Sequence, residues 1–77
     1  MDESTAKVLD ITAETCPMTF VRTRLALDSM PSGAILRVRL RGEEPRRNVP
    51  RTTEAQGHTV LACNTEGDIT TVTIRKA

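Results

Sequence analysis

The segment Ala34–Leu40 constrains this chain more than any other. Leu36, Val38 and Leu40 alternate there with Arg37, Arg39 and Arg41. A period of two puts successive side chains on opposite faces of an extended backbone. The pattern therefore predicts a strand with one buried face and one arginine-bearing face. A sheet built around it needs an apolar layer on one side only. With 77 residues the chain admits a single domain, 1–77, with residues 1–6 expected to be disordered. The covering layer must come from the same short chain.

The remaining elements supply it. Lys7–Ile11 reads as a short strand with Val8 and Leu9 as inward candidates, followed by a polar loop over Thr12–Thr15. Pro17 suits the first position of a helix, where its missing N–H is not needed. In that helix Phe20, Thr23, Leu27 and Met30 share one face at 3/4 spacing, with Cys16 above them on the same side. A second stripe, Met18, Val21 and Leu25, gives more apolar surface than a helix lying on a sheet requires. It is a candidate for facing a partner. Pro31-Ser32-Gly33 ends the helix.

Residues 48–56 read as a second helix, with Asn48 as cap, Pro50 in the first turn, Gly57 at the end, and Val49 and Ala55 as core candidates. His58–Cys63 reads as a third strand, Asn64–Asp68 as a turn and Ile69–Arg75 as a fourth strand. His58 is expected to set the turn into the third strand, and Cys63 to pack as a small buried hydrophobe. The order β-α-β-α-β-β predicts an α/β (α+β) two-layer sandwich. A four-stranded mixed sheet carries two helices on one face, and the last two strands form an antiparallel hairpin.

Composition excludes several functions. At about 0.05–0.15 kcal/mol per residue, net stability is about 4–12 kcal/mol. That sustains one core but not a deep cavity enclosing a substrate. The longest apolar run is Val60-Leu61-Ala62-Cys63, far short of the ~20 residues of a membrane span. Asp2 and Glu3 stand where a signal peptide would be positive, so a cytoplasmic location without membrane partners is expected. Charge is uneven: residues 1–21 carry −3, residues 22–51 carry +5 and residues 52–77 carry −1. The central arginines, at 37, 39, 41, 46, 47 and 51, suit steering of an acidic partner or a nucleic acid, or else a solvated face. An RNA-binding module is disfavoured, because Phe20 is the one aromatic residue and stacking platforms are missing. Cys16, Cys63 and His58 are too few and too scattered for a structural zinc site, so neither metal nor cofactor is expected.

Thr15-Cys16-Pro17-Met18-Thr19 is the place where chemistry is expected. With Pro17 opening the helix, Cys16 takes the cap position, near the free backbone N–H groups of Met18 and Thr19. Those donors and the positive helix end favour a thiolate, the reactive form of cysteine. Arg22 and Arg24 are the nearest cations in sequence. No second cysteine completes a C-x-x-C pair. A lone cysteine here can be an acyl-transfer nucleophile, a redox sensor, a persulfide carrier, or a cap without reactivity. Acyl transfer needs a base within reach, and His58 is the only histidine. A regulatory adaptor with a redox-sensitive or structural Cys16 is the alternative to a carrier.

These residues together resemble the small TusA/SirA-type sulfur-carrier family. The resemblance rests on Leu9-Asp10 before the loop, Cys16-Pro17 opening the helix, and Pro31-Ser32-Gly33 before the second strand. It continues with Asn48-Val49-Pro50 where the family has Asp-Ile-Pro, Gly57-His58 seven residues after that proline, and Ile74-Arg75-Lys76 at the end. It implies the same sandwich, and a Cys16 that accepts sulfane sulfur as a persulfide and relays it onward. The implied partners are a cysteine desulfurase or rhodanese-like donor and a downstream acceptor protein. Pro17 would fix the helix start, and Met18, Val21, Arg22 and Leu25 would form the docking surface. Two features depart from the family pattern. Thr19 replaces the second proline of Cys-Pro-x-Pro, restoring an N–H and placing a hydroxyl for a hydrogen bond to the thiolate. Thr12-Ala13-Glu14 stands where an Arg-Gly is common.

Overall fold

The computed structural model describes residues 6–14 and 18–77. Its elements are β1 (Ala6–Asp10), α1 (Met18–Asp28), β2 (Ile35–Arg41), α2 (Glu43–Ala55), β3 (Thr59–Glu66) and β4 (Ile69–Arg75). This is the expected β-α-β-α-β-β order. One four-stranded sheet results, in the order β1-β2-β4-β3. β1 and β2 run parallel, joined by the α1 crossover, while β4 is antiparallel to both β2 and β3. The sheet is mixed for that reason, and β4 fills the gap that the α2 crossover leaves between β2 and β3.

The β2 alternation holds at every position. Leu36, Val38 and Leu40 are fully buried, whereas Arg37, Arg39 and Arg41 are exposed on the helix-free face. The core also takes Val72 and Ile74 from β4, Leu27 and Met30 from α1 and the turn after it, Val49 from α2, and Ile11. It contains no aromatic side chain. Phe20 is only partly buried, and α1 presents Thr19, Thr23 and Leu27 to the sheet. The buried stripe thus starts one residue before Phe20, a rotation of about 100° on a helix. Thr23 satisfies its buried hydroxyl by donating to the Thr19 carbonyl at 2.8 Å.

Several expectations need correction. Val8 is 63% exposed, because the parallel register sets it beside Arg37 on the open face. Leu9, beside Val38, packs on the core instead, as does Ile11. Ala6 already belongs to β1, while the expectation of disorder for residues 1–5 lies outside the described residues. α2 begins five residues before Asn48. Gly42, at φ 98°, turns the chain out of β2. Glu43 and Glu44 then fill the first turn, where acids complement the helix dipole. Pro45 sits in that same turn, and Pro50 lies inside the helix. Asn48 is therefore not a cap. Val49 and Thr53, one turn apart, face the core, and Ala55 is exposed because two further residues carry it round to the outside.

β3 runs to Glu66, well past the Cys63 expected to end it. Pairing of Asn64, Thr65 and Glu66 with Thr71, Thr70 and Ile69 leaves only Gly67-Asp68 as the connection. Cys63 itself is exposed. Its strand lies at the sheet edge, where only Val60 is even partly buried, so the expected burial does not occur.

Candidate functional site

The approach to α1 is held on both sides by side chains of the chain itself. After β1, the Asp10 carboxylate accepts from the Thr12 backbone N–H at 3.1 Å and from the Thr12 hydroxyl at 2.8 Å through Oδ1. Its Oδ2 accepts from Arg39 Nη1 at 3.3 Å. The Thr12 hydrogen bonds, and then the charges of Arg39 and Arg41, hold the Asp10 carboxyl below the usual carboxylate range. The loop backbone is fastened as well: the Ile11 N–H donates to the Arg39 carbonyl at 3.0 Å, and the Glu14 N–H to the Ile11 carbonyl at 3.1 Å. From the helix side, Arg22 Nη1 reaches Glu14 Oε2 at 3.0 Å. The two ends of the connection are thus tied to β2 and to α1.

Between them come Thr15, Cys16 and Pro17, which lie outside the described residues. The expectations for Cys16 and Pro17 therefore stand on sequence adjacency: Cys16 precedes by two residues the first residue of α1. Thr19, named as a hydrogen-bond donor to the sulfur, is in the first turn of α1 and 1% exposed. Arg22 spends part of its charge on Glu14, with its side chain 45% exposed.

The second apolar stripe is confirmed as a surface. Met18, Val21 and Leu25 are 42%, 37% and 61% exposed. Their spacing of three and four residues lines them up along the outer side of α1. The arginines that the sequence grouped together divide between two surfaces. Arg37, Arg39 and Arg41 lie on the open sheet face, and Arg46, Arg47 and Arg51 on exposed positions of α2.

The far end of α1 depends on a residue that sequence reading did not connect with it. α1 has no basic residue in its own last turn. Lys76 Nζ donates instead to the Leu27 carbonyl at 2.8 Å, closing an end of the helix from 49 positions away. The backbone repeats the tie, with Gly33 N–H donating to the Lys76 carbonyl at 2.8 Å and Lys76 N–H to the Ala34 carbonyl at 2.9 Å. His58 also has a structural part, since its N–H donates to the Thr53 carbonyl at 3.3 Å and its Nδ1 accepts from the Ala77 N–H at 3.1 Å. The Asp-x-Thr pattern at Asp10 was a readable sign of the loop clamp. The Lys76 contact had no local sign at all.

The model of a family described as "Sulfurtransferase TusA" matches residues 7–76. A protein of Archaeoglobus fulgidus named "Putative sulfur carrier protein" is 48% identical over 62 residues, covering 80% of this chain and 70% of the relative. In Bacillus subtilis, "Putative sulfur carrier protein YrkI" is 36% identical over 70 residues, covering 91% and 93%. The crystal structure of a SirA-like protein from Desulfitobacterium hafniense superposes with a TM-score of 0.76 over 90% of this chain and 95% of its own. At 21% identity that likeness shows the fold.

Proposed function

The chain belongs to the TusA sulfurtransferase family, and from that premise we propose that it is a sulfur carrier whose working atom is Cys16 Sγ. The observation that carries the reading is the place of Cys16-Pro17 in sequence, directly before an α1 whose N-terminal approach is clamped by Asp10, Glu14 and Arg22. Free N–H groups and the helix dipole at such a terminus stabilise negative charge on a sulfur.

In the proposed step the Cys16 thiolate attacks the outer sulfur of a donor's persulfide. The donor's S–S bond breaks and its cysteine leaves as a thiolate, while Cys16 becomes Cys16–S–SH. An acceptor thiolate then attacks that outer sulfur, and Cys16 leaves as the thiolate it began as. No net oxidant or reductant enters. Exchange between proteins needs an accessible sulfur on an open surface rather than a pocket, which suits a domain of this size. A donor of the cysteine desulfurase or rhodanese-like type and an acceptor protein would dock over Met18, Val21, Arg22 and Leu25. The Thr19 hydroxyl would hydrogen-bond the thiolate from the first helical turn.

Intact-mass measurement after incubation with a cysteine desulfurase and free cysteine tests the reading. A gain of one sulfur atom is expected, removed by reductant and absent in Cys16→Ser. A folded wild-type protein that stays unmodified, or a Cys16→Ser variant that still gains the sulfur, would overturn it. Partner binding that survives Cys16→Ser without any sulfur adduct would favour an adaptor role.

A further inference from the structure

β3 is an edge strand that lacks most of the protection edges carry. Among the described residues its sole neighbour is β4, it is eight residues long, and only Val60 is even partly buried. Thr59–Thr65 holds no charged residue and no proline in a chain that is 27% charged. Exposed edges are usually blunted by lysine, proline, shortness or a bulge, because their unpaired N–H and C=O groups are a template for another strand. The opposite edge follows that rule: β1 has five residues and carries Lys7 and Asp10. On β3 such devices are confined to the irregularity between Val60 and Ala62 and the terminal Glu66, and Ala62–Thr65 between them is a regular, uncharged ladder.

We propose that β3 pairs antiparallel with β3 of a second copy of this chain, about a two-fold axis at Cys63, joining two sheets into one of eight strands. The register follows from the faces. Thr59, Ala62, Asn64 and Glu66 are partners of Arg75, Thr73, Thr71 and Ile69 on the open side, whereas Val60, Cys63 and Thr65 are partners of Ile74, Val72 and Thr70 on the helix side. Centred on Cys63, and with Leu61 bulged out of the new ladder as it is out of the ladder with β4, the pairing opposes Ala62 to Asn64, Val60 to Thr65 and Thr59 to Glu66 of the second copy. Every opposed pair then shares a face, the whole strand overlaps, and both helix layers stay on one side. Glu66 supplies the charge complementarity. It meets the short Thr59 of the second copy, beyond which lies that copy's Arg75 on the same open face. The carboxylate and guanidinium meet across the threonine, twice by symmetry. Among the described residues neither Glu66 nor Arg75 is engaged in an ion pair within its own chain.

The test uses the Cys16→Ser protein, which keeps Cys63 as its only thiol. Residues directly opposed in an antiparallel ladder have Cα atoms about 4.5–5.5 Å apart, inside the ~4.4–6.8 Å that a disulfide spans. Copper(II)–phenanthroline, taking two electrons and releasing two protons per thiol pair, should therefore yield a Cys63–Cys63 disulfide dimer. Sedimentation velocity under reductant should show a reversible monomer–dimer equilibrium, abolished by Cys63→Lys. Glu66→Arg should raise the dimer dissociation constant by about tenfold, and Glu66→Arg with Arg75→Glu should restore it. If Cys63→Lys loses its circular dichroism, the charge pair decides alone. A protein monomeric at every concentration, or a dimer indifferent to both Cys63→Lys and the charge reversal, would overturn the proposal. The sulfur-carrier reading is unaffected by either result, since it rests on Cys16.

Discussion

Asp10 joins two parts of the molecule through one carboxylate: the turn at Thr12 and the neighbouring strand at Arg39. Because its folded pKa lies below the unfolded value, its contribution to stability is complete above the unfolded pKa and is lost as pH falls through the folded one. Asp10→Asn should accordingly lower the urea midpoint at neutral pH, and the gap from wild type should close as the solution is acidified below the carboxylate range. A gap that persists at low pH would mean that the charge is not what the loop uses. The turn itself was legible, since Asp-x-Thr offers a carboxylate to an N–H two residues on. Arg39 as the second partner was not, because only the parallel register brings Asp10 beside it.

At the level of elements, the end of α2 was legible and its beginning was not. Gly57 has φ 97° and donates its N–H to the Glu54 carbonyl at 3.0 Å, while the next N–H, of His58, reaches the Thr53 carbonyl. This is the paired closure of a helix ending in a left-handed residue, for which glycine is the usual occupant. Nothing lies within 4 Å of a Cβ added there, so Gly57→Ala tests backbone strain alone. It should cost about 1–2 kcal/mol in denaturant unfolding without altering sulfur uptake. The start of α2 was misplaced because Pro50 reads as a first-turn signal. Gly42, Glu43 and Pro45 set the true start, and packing of Val49 and Thr53 on the sheet carries the helix through the second proline.

At the level of the molecule, the helix layer leaves one apolar stripe outside the core, and it flanks the proposed sulfur site. Leu25 is 61% exposed, so Leu25→Glu should fold normally and leave the rate of Cys16 alkylation unchanged. Transfer of sulfur from a donor enzyme should slow severalfold, measured by intact-mass time courses. Loss of alkylation would place the effect on the thiol instead of the docking surface. The sequence by itself determined the two-layer form, because the alternation of Leu36, Val38 and Leu40 with three arginines permits cover on one side only. It also determined that a helix follows Cys16-Pro17 and carries the exposed stripe Met18, Val21 and Leu25, since these are local patterns. Tertiary structure alone decided the strand order. Inserting β4 between β2 and β3 exiled Cys63 to an edge that its apolar neighbours would not suggest. It decided, too, that Lys76 closes α1. Periodicity tells a residue which face it is on, but only pairing across the sheet tells it what lies beside it.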